Sequence, residues 1–152
     1  MKKVLLLIMS TVILTVLLSG CNENGDGNQN SVYVEIGERL FMTQIMDIIG
    51  NYDHYIGRTV RYEGVFEKLE YFGDGDPLAF VFRRGPGCCG DDGFGGFMVV
   101  WEDNDADFPE NDDWVEVVGT FGIVEIDGLA FRSVFLSSLT VLETRGEEFV
   151  WS

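Results

Sequence analysis

Between Glu38 and Tyr52 the apolar residues Leu40, Phe41, Ile45, Ile48, Ile49 and Tyr52 recur at steps of three and four, which places them on one face of a helix. Gly50 and Asn51 supply its stop. Past Gly57 the pattern changes. The segments Thr59–Leu69, Leu78–Phe82, Phe97–Trp101, Trp114–Ile126 and Leu129–Leu142 are rich in β-branched and aromatic residues and read as five strands. Gly73-Asp74-Gly75-Asp76-Pro77 reads as a turn, and Asp127-Gly128 is the two-residue signal of a type I′ hairpin. Gly64 and Gly119 interrupt two long strands, where glycine marks a bulge or sharp bend of the kind a small sheet needs to coil and close. The expectation is a mainly β fold, a small OB-like five-stranded barrel over residues 37–152 preceded by one short helix, with an open β-sandwich as the alternative.

The N-terminal pattern is different in kind. Met1-Lys2-Lys3 precedes an uncharged, mostly apolar run from Val4 to Leu18, too short for a comfortable membrane span, and then Leu18-Ser19-Gly20-Cys21. Small residues ahead of a cysteine resemble the lipobox of bacterial lipoproteins. That reading makes residues 1–20 a signal peptide, Cys21 the lipidated N-terminus of the mature chain, and the extracytoplasmic face of the cell membrane its location. Each buried methylene contributes about 0.8 kcal/mol, so the acyl chains of such a cysteine hold a protein stably on a bilayer. From Asn22 to Ser31 there is nothing apolar to bury, and residues 21–36 read as a solvated tether.

Charge narrows the partners. Loss of residues 1–20 removes Lys2 and Lys3 and no acid, leaving 8 basic and 26 acidic side chains and a formal charge of −18. A chain this acidic repels phosphate backbones, which excludes nucleic acid as a ligand. Arg83-Arg84 reads as an exposed, isolated basic pair too small to reverse that.

Candidate chemistry concentrates between the second and third strands, in Gly85-Pro86-Gly87-Cys88-Cys89-Gly90-Asp91-Asp92-Gly93-Phe94-Gly95-Gly96. Extended backbone would send the Cys88 and Cys89 side chains to opposite faces, but flanking glycines permit a turn in which both sulfurs converge. Two thiolates with Asp91, Asp92 or His54, the single histidine, form a donor set for a soft or borderline cation such as zinc. The same pair read as a redox couple makes the protein a thiol-based enzyme. Read as packing, one cysteine is simply a small buried hydrophobe. A relaxed disulfide between neighbours is disfavoured, because consecutive Cα atoms lie about 3.8 Å apart.

A resemblance bears on this choice. Tyr55-Ile56-Gly57-Arg58-Thr59-Val60 with Glu63-Gly64-Val65, then Cys88-Cys89 followed by Asp92, Trp114-Val115-Glu116-Val117-Val118-Gly119-Thr120 and a closing Phe149-Val150-Trp151 resemble the C-terminal extracytoplasmic domain of an uncharacterised bacterial family. That family is regarded as one subunit of a two-gene permease. Its members carry membrane helices ahead of this domain, where the present chain has a lipoprotein-like signal and a short helix. The resemblance, spanning residues 50–151, implies an OB-like fold, a special cysteine pair with Asp92 beside it, and a membrane permease as partner.

Two further segments carry less. Asp103, Asp105 and Asp107 mimic the first ligands of a calcium loop, but Phe108 stands where glycine is required and Trp114 where the bidentate Glu belongs, so Glu102–Asp113 reads as a solvated acidic loop. His54 has no nucleophile motif near it and reads as a surface residue. The functional expectation is a non-enzymatic, membrane-tethered binding module, with thiol redox chemistry at Cys88 and Cys89 as the rival.

Overall fold

The computed structural model describes residues 33–70, 76–87, 90–101 and 108–151, with residues 90–92 described in their backbone alone. The chain enters through β1 (Val34–Glu35), a 3-10 turn (Glu38–Leu40), helix α1 (Phe41–Gly50) and a second 3-10 turn (Tyr52–His54). Five longer strands follow: β2 (Thr59–Leu69), β3 (Leu78–Gly87), β4 (Gly90–Val100), β5 (Trp114–Ile126) and β6 (Leu129–Val141). Their order is β1-β2-β3-β4-β6-β5, and β2 pairs again with β5, closing the five long strands into a barrel. The fold class read from the sequence is the one observed. Among the described residues no helix is long and apolar enough to cross a membrane.

Two glycines make the closure possible. β2 pairs with β5 from Thr59 to Val65 and with β3 from Val65 to Leu69, so it changes partners next to Gly64. A Cβ at Gly64 would lie 2.7 Å from the carbonyl oxygen of Phe82, closer than real Cβ contacts come. Gly119 sits at the register shift between β5 and β6, the bulge its position in a long strand foretells. In the β5–β6 hairpin Asp127 and Gly128 both take positive φ, 51° and 78°, as a type I′ turn requires.

Helix α1 supplies the core with Phe41, Met42, Ile45 and Ile48, which pack with Val60, Tyr62, Phe66, Val81, Phe97, Val117 and Phe121 from the barrel interior. Each such side chain contributes about 1.5–3 kcal/mol on burial, so the helix and barrel share one core. The helix has no side-chain N-cap. Gln44 ties it to the entering chain instead: its Oε1 accepts from the Gly37 amide at 3.1 Å and its Nε2 donates to the Glu35 carbonyl at 3.0 Å. Buried Tyr62 donates its hydroxyl to the Val81 carbonyl at 3.1 Å, and burial pushes its pKa far above that of a free tyrosine.

The helix is shorter than its apolar pattern, Phe41–Gly50 within Glu38–Tyr52, and three strand or tether boundaries differ from the expectation by more than one residue. Val34 and Glu35 pair with Val60 and Arg61, and Ile36 is buried, so these residues of the expected tether join the fold. β3 continues past Phe82 to Gly87, and β4 begins at Gly90 instead of Phe97. Most of the glycine-rich segment is therefore strand, not loop. Residues 102–107 of the acidic segment and the expected turn at 71–75 lie outside the described residues.

Candidate functional site

The extended β3–β4 hairpin runs in register from Ala79↔Val99 to Gly85↔Gly93 and, after an irregularity, Gly87↔Gly90. Its glycines serve close packing. A Cβ on Gly95 would fall 2.7 Å from Met42 Sδ, and one on Gly85 would fall 2.9 Å from the Val150 carbonyl oxygen and 3.1 Å from Met42 Cε. Helix α1 and the C-terminal segment thus lie against a hairpin face that has no side chains at those points. The outer edge of β3 is covered as well: Arg84 N–H donates to the Glu148 carbonyl at 2.8 Å and Val150 N–H donates to the Arg84 carbonyl at 2.9 Å, with Arg84 and Phe149 in a parallel bridge.

Arg83 organises the base of this hairpin. Strand alternation sends Ala79, Val81, Arg83 and Gly85 inward, so Arg83 is buried at 1 % exposure, not exposed as its place in a basic pair suggested. Its guanidinium lies 4.9 Å from the Phe41 ring and 4.7 Å from the Trp114 ring. Nε donates to the Glu63 carbonyl at 2.7 Å, Nη1 donates to the Glu147 carbonyl at 3.1 Å, and the Glu38 and Glu63 carboxylates lie at 3.5 and 3.9 Å. Burial lowers its pKa, and Glu38 and Glu63 oppose that shift. An arginine remains charged throughout. Arg84, pointing outward, pairs with Glu148 at 2.9 Å.

Cys88 and Cys89 follow directly on Gly87 and precede Gly90 in the chain; both lie outside the described residues, as does Cys21. Asp92 is on β4, described in its backbone alone. His54 is exposed on the second 3-10 turn. Among the described residues no group of three His, Cys, Asp or Glu side chains has metal-site spacing.

Two hollows were not visible in the sequence. One, of about 610 Å³, is lined by Lys68, Leu78, Met98, Val100, Trp101 and Phe108 among others, with Lys68 Nζ 4.4 Å from the Phe108 ring centre. The second, about 260 Å³, is bordered by Glu35, Glu38, Arg61, Glu63 and Arg83. Both of its cations are paired, and acid is in excess: Arg61 bonds Glu116 and Glu35, and Arg83 faces Glu38 and Glu63.

A closed barrel with a helix packed into its core and a double cysteine between two strands is the setting in which the comparison with known families decides. The model of the DUF1980 C-terminal domain matches residues 21–149. The chain belongs to this family. The DUF1980 match takes in α1, all five barrel strands and Cys88-Cys89, and it ends at Phe149, the residue bridged to Arg84. No curated protein matches the chain.

Proposed function

We propose that this DUF1980 domain is a membrane-tethered extracytoplasmic lipoprotein, anchored through Cys21, that binds a metal ion of the zinc type through Cys88, Cys89 and Asp92 and works beside a membrane permease without being an enzyme. The observation that carries the metal reading is the Gly87↔Gly90 pair: the backbone on either side of the two cysteines is held as a strand pair. Further down the same hairpin, Met42 packs against Gly85 and Gly95, and Arg83 is buried. A supported base of this kind keeps donors close to the geometry a tetrahedral cation demands. Asp92 adds a carboxylate three residues on. For the anchor, support comes from the Lys2-Lys3 start, the apolar run and the Leu18-Ser19-Gly20-Cys21 segment.

Reduced protein is expected to take up about one Zn²⁺ and to release protons as thiols become thiolates. Cys88→Ser and Cys89→Ser each lower the affinity on the order of 100-fold, and Asp92→Asn about 10-fold, measured by calorimetric titration under reducing conditions. Wild-type protein that takes up no zinc at micromolar concentration refutes the metal reading, and reversible oxidation of the pair would then favour the thiol-redox enzyme. Anchoring is checked separately. Labelled palmitate enters the wild type and not Cys21→Ser; equal labelling of the two excludes the lipobox.

A further inference from the structure

Phe94 and Trp151, each 71 % exposed, are the most exposed large hydrophobic side chains among the described residues. They belong to one surface. On β3, Phe82 and Arg84 point outward, away from Val81 and Arg83, and on β4 Phe94 is the partner of Arg84. Across the other edge of β3, Phe149 is bridged to Arg84 and so faces the same way, while the intervening Val150 is buried. Trp151 repeats the outward position of Phe149. Ring contacts agree: Phe82 and Phe94 centroids are 5.9 Å apart, and those of Phe149 and Trp151 are 4.8 Å apart. The cation in the middle is already matched, since Arg84 holds Glu148 at 2.9 Å and lies 5.8 Å from the Phe82 ring. β3, β4 and the bridged C-terminal segment thus present four aromatic rings around the Arg84–Glu148 ion pair.

We infer that this aromatic face is a second membrane contact, which seats the domain on the headgroup region of a zwitterionic bilayer with Phe94 and Trp151 inserted. The inference rests on the lipid-anchor reading. Eleven residues, Asn22 to Val32, separate Cys21 from the first described residue, a reach of at most about 40 Å. The chain's entry also lies beside the aromatic C-terminal segment, because Glu147 N–H donates to Glu38 Oε1 at 3.4 Å, two residues before Phe149. Tryptophan and other amphipathic aromatics favour the bilayer interface, and a large apolar patch left in water marks an interaction surface. Two rings bind a membrane weakly alone. On a short tether the encounter becomes intramolecular, and weak contact suffices. The acidic balance of the chain selects a zwitterionic surface over an anionic one.

The test uses full-length lipidated protein in phosphatidylcholine vesicles, with and without bromine on the acyl chains, and takes the Trp151 emission as the difference between wild type and Trp151→Phe. Bromine is expected to quench that emission roughly twofold or more, and Phe94→Ser to remove much of the quenching. Vesicle flotation reports the anchor independently. Protein that floats with an unquenched Trp151 overturns the inference and leaves the anchor standing. Protein that does not float overturns both. A Trp151 emission shifted to the blue in native membranes but unquenched in pure lipid assigns the face to a protein partner and also overturns it.

Discussion

Arg83→Ala is expected to destabilise the barrel by about 3–5 kcal/mol, or to prevent folding, when compared with the wild type in urea unfolding. The substitution empties a fully buried site between Phe41 and Trp114. It also strips donors from the Glu63 and Glu147 carbonyls and leaves Glu38 and Glu63 facing each other without a cation. Arg83→Lys restores the charge but not the planar group that stacks between two rings while donating in two directions, so it recovers only part of the loss. Arg84→Ala is the control. That side chain is 55 % exposed and its pair with Glu148 is worth about 0–1 kcal/mol. Equal losses for Arg83→Ala and Arg84→Ala would contradict the role assigned to the buried guanidinium.

Gly96→Ala is the second large effect. An added Cβ would stand 2.1 Å from the Val81 carbonyl oxygen and 2.6 Å from Phe82 Cα, both backbone atoms of the paired strand. No rotamer change relieves that contact, and β3 and β4 must separate where Phe82 pairs with Gly96. A loss of about 3 kcal/mol or more follows. Gly37→Ala makes the contrast: nothing lies within 4 Å of its Cβ position and its backbone is extended, at φ −89° and ψ 161°. There the change is expected to be neutral or to stabilise by a few tenths of a kcal/mol, up to about 1, by restricting the unfolded chain. Thermal melts of the two variants check the pair, and similar melting temperatures would refute the packing account.

Strands rich in β-branched and aromatic residues could be read from the sequence with their ends: Thr59–Leu69 and Trp114–Ile126 stand as expected. So could the Asp127-Gly128 turn and the breaks at Gly64 and Gly119, because positive φ and strand closure make specific local demands. The β3–β4 extension was hidden. Glycine is a turn residue by local preference, and the reason for it at 85, 95 and 96 is the approach of Met42, Val150 and Val81, which are distant in sequence. Arg83 was hidden by its neighbour Arg84. The alternation Ala79, Val81, Arg83, Gly85 already placed it inward, but only the carbonyls of Glu63 and Glu147 and the rings of Phe41 and Trp114 explain how a cation stays there. The candidate metal residues came from composition and resemblance, and the fold contributes the paired strands that flank them.

The bridge between Arg84 and Phe149 has a consequence for how the domain is made. Glu148 and Val150 complete the edge of β3 and Glu147 takes a hydrogen bond from Arg83, so β3 is completed only by residues 64 or more positions further on. Barrel closure is equally non-local, joining Thr59 to Thr120. A chain emerging N-terminus first can form α1 and start β2, but its barrel closes only once β5 and β6 are free to pair. Assembly of the barrel is therefore late and slow for its size, as long-range pairings require.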